Sequence, residues 1–160
     1  MKKIVIYTQN NIDPRQKLWA KEAAQDFLGM FPEYQNSFKI EFTEDDIEQL
    51  VAQAADFQSG KIDASKLTKA RNNKLEAANS ADIAINLVKE NFITKKDGEI
   101  LYGLTIGNSF SISGASCSDE DLFKAIFVHE MGHIFNATFE GRANTTKSKE
   151  KGVHCTIRFA

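Results

Sequence analysis

From Asp82 to Val88 the chain reads Asp-Ile-Ala-Ile-Asn-Leu-Val, a mostly apolar run that suits an interior strand. A strand of that kind needs other strands beside it and helices over it, so it commits the chain to a covered sheet. Candidate neighbours are easy to find. Ile4, Val5, Ile6 and Tyr7 mark a first strand over Lys2 to Thr8, and Phe38 to Phe42 alternates apolar with polar residues as a half-buried strand does. Two further segments, Ile100 to Ile106 and Phe110 to Ser113, are separated by Gly107, Asn108 and Ser109, which predicts a hairpin.

Helices fall between these strands. Asp13 followed by Pro14 is a helix start, because proline at the first helical position gives up a backbone donor that had no partner there. Leu18, Ala20, Ala23, Ala24, Phe27 and Leu28 then recur near a 3.6-residue period as far as Met30, and Pro32 closes the segment. Thr43 is expected to cap a second helix, with Glu44, Asp45 and Asp46 in its first turn. That acidic cluster lacks the glycine and alternating ligands of a calcium loop, so helix-dipole complementation explains it. Asp63 should cap a third helix over Ala64 to Ala78, whose Lys66, Lys69, Arg71 and Lys74 read as a solvated face. Ser118, with Asp119, Glu120 and Asp121, opens a last helix whose apolar body is Leu122 to Phe135. The expected fold class is α+β, a twisted mixed sheet with packed helices, in one domain spanning residues 1–160.

Composition narrows the function classes. Twenty Lys and Arg against 22 Asp and Glu give a net charge of −2, which offers no basic surface for nucleic acid. No apolar stretch approaches the roughly 20 residues that cross a bilayer, and the apolar run at the amino terminus is shorter than a secretory signal needs. Cys117 and Cys155 are too few for a disulfide scaffold and are expected to be unconnected thiols, which fits a cytoplasmic setting.

The sharpest motif lies in the last helix, where residues 129 to 133 read His-Glu-Met-Gly-His. An i, i+4 separation on a helix puts both imidazoles on one face, close enough for two nitrogens to reach one ion. Glu130 is turned about 100° from His129 around the helix axis and is free to serve as general base. The chain has three histidines, and the third, His154, completes the three-ligand set usual for a catalytic zinc.

The run His129 to His133, then Asn136, and later Gly152, Val153, His154 and Cys155, resembles the metzincin clan of zinc peptidases, most of all its archaemetzincin branch. The resemblance implies a zincin-like domain binding one catalytic Zn2+ through His129, His133 and His154, with Glu130 as general base. It also implies that Tyr102, Gly103, Leu104 and Thr105 form the sheet edge that pairs with an extended peptide substrate. Asn136 and Phe139 stand where that clan has glycine and its third histidine, so the polar segment Glu140 to Lys151 reads as an insertion that delays the third ligand to His154. Its basic run, Lys147 to Lys151, reads as a solvated loop. Glu140 or Glu150 is the alternative third ligand. Met1, Met30 and Met131 are the only methionines, so the clan's methionine turn after the third ligand is missing. No cysteine follows Cys155, so the branch's second, structural zinc is not expected. The alternative to an enzyme is a catalytically inactive zinc-binding module on the same scaffold.

Overall fold

The computed structural model describes residues 1–136 and, by its backbone, the strand Val153–Arg158. The elements are β1 (Lys2–Thr8), α1 (Pro14–Gly29), β2 (Phe38–Thr43), α2 (Ile47–Ala54), α3 (Ala64–Ala78), β3 (Ile83–Val88), β4 (Glu99–Ile106), β5 (Ser109–Ser113), α4 (Glu120–Ile134) and β6 (Val153–Arg158). The strands form one mixed sheet in the order β2-β1-β3-β5-β4-β6. The first four in that order run parallel, whereas β4 is antiparallel to both β5 and β6. The fold is therefore α+β, as expected, with one strand, β6, that the sequence pattern does not mark.

Helices cover both faces of the sheet. Alternation along β3 explains why every one of its residues is buried: Ile83, Ile85 and Leu87 enter the core under α1 and α4, and Val88 enters the core under α2 and α3. The first core also takes Ile4, Ile6, Phe110 and Ile112 from the sheet, and the second takes Leu104 and Ile106. Gln16 joins the layers at the head of α4, its buried Nε2 donating to the carbonyls of Gly114 (2.9 Å) and Cys117 (3.1 Å).

Local chemistry sets the helix starts. The Asp13 carboxylate accepts from Arg15 N at 2.9 Å and the Asp63 carboxylate from Lys66 N at 3.0 Å, the N-caps expected of them. Two expected caps shift. Thr43 is the last residue of β2, and α2 starts instead from Asp46, a left-handed residue (φ 52°) that makes no side-chain cap. The cap of α4 is Asp119 rather than Ser118, its carboxylate accepting from Leu122 N at 3.0 Å. In the β4–β5 turn Gly107 has φ 59°, and the Asn72 amide stands 2.6 Å from where a Cβ would be, so a larger residue would be strained there and would displace the Asn72 side chain.

Arg71 overturns one expectation. Instead of lying on a solvated face it is 1% exposed, with Nε donating to Asn86 Oδ1 (2.9 Å), Nη1 2.8 Å from Asp46 Oδ1, and its guanidinium stacked 3.4 Å from the Tyr7 ring centroid. Lys66, Lys69 and Lys74 are exposed as expected. Cys117 is buried. Glu140, Glu150 and the run Lys147 to Lys151 lie outside the described residues.

Candidate metal centre

The buried stripe of α4 is Phe123, Ile126, Phe127, Glu130, Met131 and Ile134, a three-and-four spacing that presses one face of the helix on the sheet. Glu130 falls on this stripe. His129 and His133 fall beside it, the first exposed and the second half-buried. Four residues of helix bring their Nε2 atoms to 3.0 Å, with ring planes 88° apart and centroids separated by 4.5 Å.

Two nitrogens aimed at one point can share a proton or hold a cation. Nitrogens bound tetrahedrally at 2.0–2.1 Å from one zinc stand about 3.4 Å apart, so a small opening of this pair admits the ion. Burial first, and the neighbouring His129 second, lower the His133 pKa. Both causes favour the neutral imidazole, the form that binds metal. The donor set therefore fits zinc as far as it goes. Among the described residues, no group of three or more His, Cys, Asp and Glu side chains comes together to complete it. His154 is described by its backbone alone, at the register position opposite Leu104.

Glu130 is fully buried. Its Oε2 accepts a hydrogen bond from the Thr105 hydroxyl, and its Oε1 has no partner among the described residues. Burial pushes the carboxyl up to about 7, against the opposing effect of the Thr105 hydrogen bond. A Cβ on residue 103 would lie 3.0 Å from Oε1 and 3.2 Å from the Ser111 carbonyl, so the glycine leaves the space that Glu130 occupies. The seat for the carboxyl is thus built by Gly103 and Thr105 of β4. A glycine inside a strand pattern is the sequence signal for such a close approach, although it does not say what approaches.

That finding corrects the substrate-edge expectation for Tyr102 to Thr105. Tyr102 and Leu104 are buried, 6% and 5% exposed, in the cores on opposite faces of the sheet, while Gly103 and Thr105 contact Glu130. Nor is β4 an edge. Its outer side pairs with β6 from Glu99 to Thr105, with Gly103 opposite Cys155 and Thr105 opposite Val153. The expectation failed because the apolar pattern of Val153–Arg158 is too short to announce a strand, and an edge exists only where no further strand finds it.

Neither a scan against protein-family models nor a search of curated proteins finds a match to this chain. Among the described residues no helix is long and apolar enough to cross a membrane.

Proposed function

We propose that this protein is a zinc-dependent peptidase that hydrolyses peptide bonds, of the metzincin type and closest to its archaemetzincin branch, on a zincin-like fold. The observation that carries the reading is the convergence of His129 and His133 Nε2 atoms at 3.0 Å on the helix that buries Glu130 beside them. His129 and His133 would hold the ion, with His154 as third ligand and Glu140 or Glu150 as rivals for that place. A bound zinc supplies Lewis acidity at the scissile carbonyl and a water acidified to a pKa of about 7.

The chain's own residues do the rest. The Thr105 hydroxyl fixes one oxygen of Glu130, and Oε1, which has no partner among the described residues, would accept the proton of the attacking water. As general base this carboxyl would take that proton and return it to the leaving amine. The substrate is a peptide or protein in extended form, not nucleic acid or membrane. Two cysteines, too few for a disulfide scaffold, fit a cytoplasmic location.

One observation favours the second reading, an inactive zinc-binding module: the carboxyl of Glu130 is closed off beneath a β4 whose outer side is already paired. A single experiment separates the two. Zinc content by elemental analysis should be one ion per chain, lost in His129→Ala and His133→Ala and weakened in His154→Ala. Glu130→Gln should keep that zinc yet cleave a broad peptide library about 10²–10⁴ times more slowly than the parent. A parent that holds zinc and cleaves nothing decides for the module, and a parent that takes up no zinc sinks both readings.

A further inference from the structure

We propose that the outer side of β2 is the contact through which two copies of this chain pair, antiparallel and about a two-fold axis at Ile40, so that their sheets join into one. The inference goes beyond the zinc-site reading and does not depend on it. Among the described residues β2 pairs with β1 alone, at the end of the sheet. Its backbone groups divide between two sides. Lys2 N donates to the Ser37 carbonyl at 2.9 Å, in a parallel register that sets Lys2 beside Phe38. In such a ladder alternate residues turn their donors and acceptors to the neighbour, so those of Lys39 and Glu41 meet β1 and those of Ile40 and Phe42 point outward. An outward row of this kind is a template for another strand.

Side chains select the partner. From Phe38 to Phe42 the strand reads Phe-Lys-Ile-Glu-Phe, symmetric about Ile40 except that Lys39 is answered by Glu41. Laid antiparallel on a second copy, Ile40 meets Ile40 in a hydrogen-bonded pair, and Lys39 meets Glu41 twice in the closer, non-hydrogen-bonded pairs. An in-register parallel copy would instead set lysine beside lysine and glutamate beside glutamate. Lysine on an edge usually repels a further strand. Here the glutamate two residues on cancels that repulsion for one partner only, the same strand reversed. Both side chains are accessible, 61% exposed for Lys39 and 33% for Glu41, with Nζ and Oε1 3.2 Å apart within one chain. The other face of β2 is apolar. Ile40 and Phe42 are only partly buried on the α1 side, where a cavity of about 350 Å³ is lined by Leu28, Phe38 and Ile40 with Lys21, Gln25 and Gln35. Directly paired residues share a face, so Phe42 of the second copy falls across from Phe38, at this cavity. So short a contact is a small interface, which fits a dissociation constant on the order of micromolar rather than an obligate dimer.

Sedimentation velocity on the full chain, from about 1 to 500 μM, tests this. The parent should pass from monomer to dimer across that range. Glu41→Lys leaves only positive charge at the contact and Lys39→Glu only negative, and each should raise the dissociation constant about tenfold or more. The double variant Lys39→Glu/Glu41→Lys restores opposite charges in the same register and should regain the dissociation constant of the parent. An equimolar mixture of the two single variants should form the mixed dimer for the same reason. A parent that is monomeric at every concentration overturns the proposal and leaves the edge to an extended peptide or another chain. A parent dimer indifferent to both single variants overturns β2 as the contact. Single variants that weaken the dimer without rescue by the double exchange overturn the antiparallel register.

Discussion

Glu130 is held in an environment that favours its neutral form, and that has a consequence for the fold as well as for the chemistry. Its carboxyl titrates near 7 in the folded chain against an ordinary value of 4.5, so folding favours the protonated group. The sign follows from linkage: the contribution is intact below pH 4.5 and is lost as pH rises towards 7, amounting to about 3 kcal/mol above that. Glu130→Gln has no charge to bury and keeps a group that can accept from Thr105. Metal-free Glu130→Gln should therefore match the parent in urea unfolding at pH 4 and exceed it by up to about 3 kcal/mol at pH 8. Equal stability of the two at pH 8 would mean that the buried carboxylate is compensated by a partner outside the described residues. A gain in stability on replacing a buried carboxyl is what is expected where a functional group is held in an unfavourable setting.

At the scale of the element, α3 illustrates how one helix carries charges of two kinds. Lys66, Lys69 and Lys74 are exposed, but Arg71 is folded under the helix against β1 and β3, and burial lowers its pKa while Asp46 opposes that shift. Asn86 in turn donates to Ser111 Oγ at 3.1 Å, and Ser111 Oγ is 2.7 Å from Thr68 Oγ1, so one polar chain crosses from α3 to β3 and β5. Arg71→Met strands the Asn86 carbonyl and removes the closer of two cations at Asp46, whose Oδ2 keeps Lys74 Nζ at 3.4 Å, and it should cost about 1–3 kcal/mol of unfolding free energy. Lys69→Met, on the exposed side, should stay within about 0.5 kcal/mol. Thermal and urea unfolding of the two variants check the contrast. Charge spacing along the helix could not make this distinction, because the cation that goes inside is chosen by acceptors from β3 and α2, remote in sequence.

For the whole molecule, the end of α4 is fastened by an aromatic cluster drawn from three parts of the chain. Phe135 lies 4.9 Å from the Phe27 ring, 5.3 Å from Tyr34 and 5.6 Å from Phe38, centroid to centroid, and is 2% exposed. Phe135→Ala should cost about 3–5 kcal/mol by leaving a cavity. Because the cluster begins two residues after His133, zinc affinity should fall in the same variant, as isothermal titration would show; full affinity in a destabilised protein would mean that the histidine pair is positioned by the sheet contact of α4 alone. Sequence by itself determined what is written in local periods and local chemistry: β1, β3, the β4–β5 hairpin, the Asp13 and Asp63 caps, and a helix that aligns His129 with His133. Those features depend on residues within a turn or two of one another, where the 3.6-residue and 2-residue repeats act directly. Tertiary structure alone decided that Arg71 is buried, that Gly103 and Thr105 seat the Glu130 carboxyl, and that β6 pairs with β4 in the register that sets His154 opposite Leu104. Each of these depends on a partner far along the chain, and no local pattern encodes which distant group will arrive at a given face, or in what register.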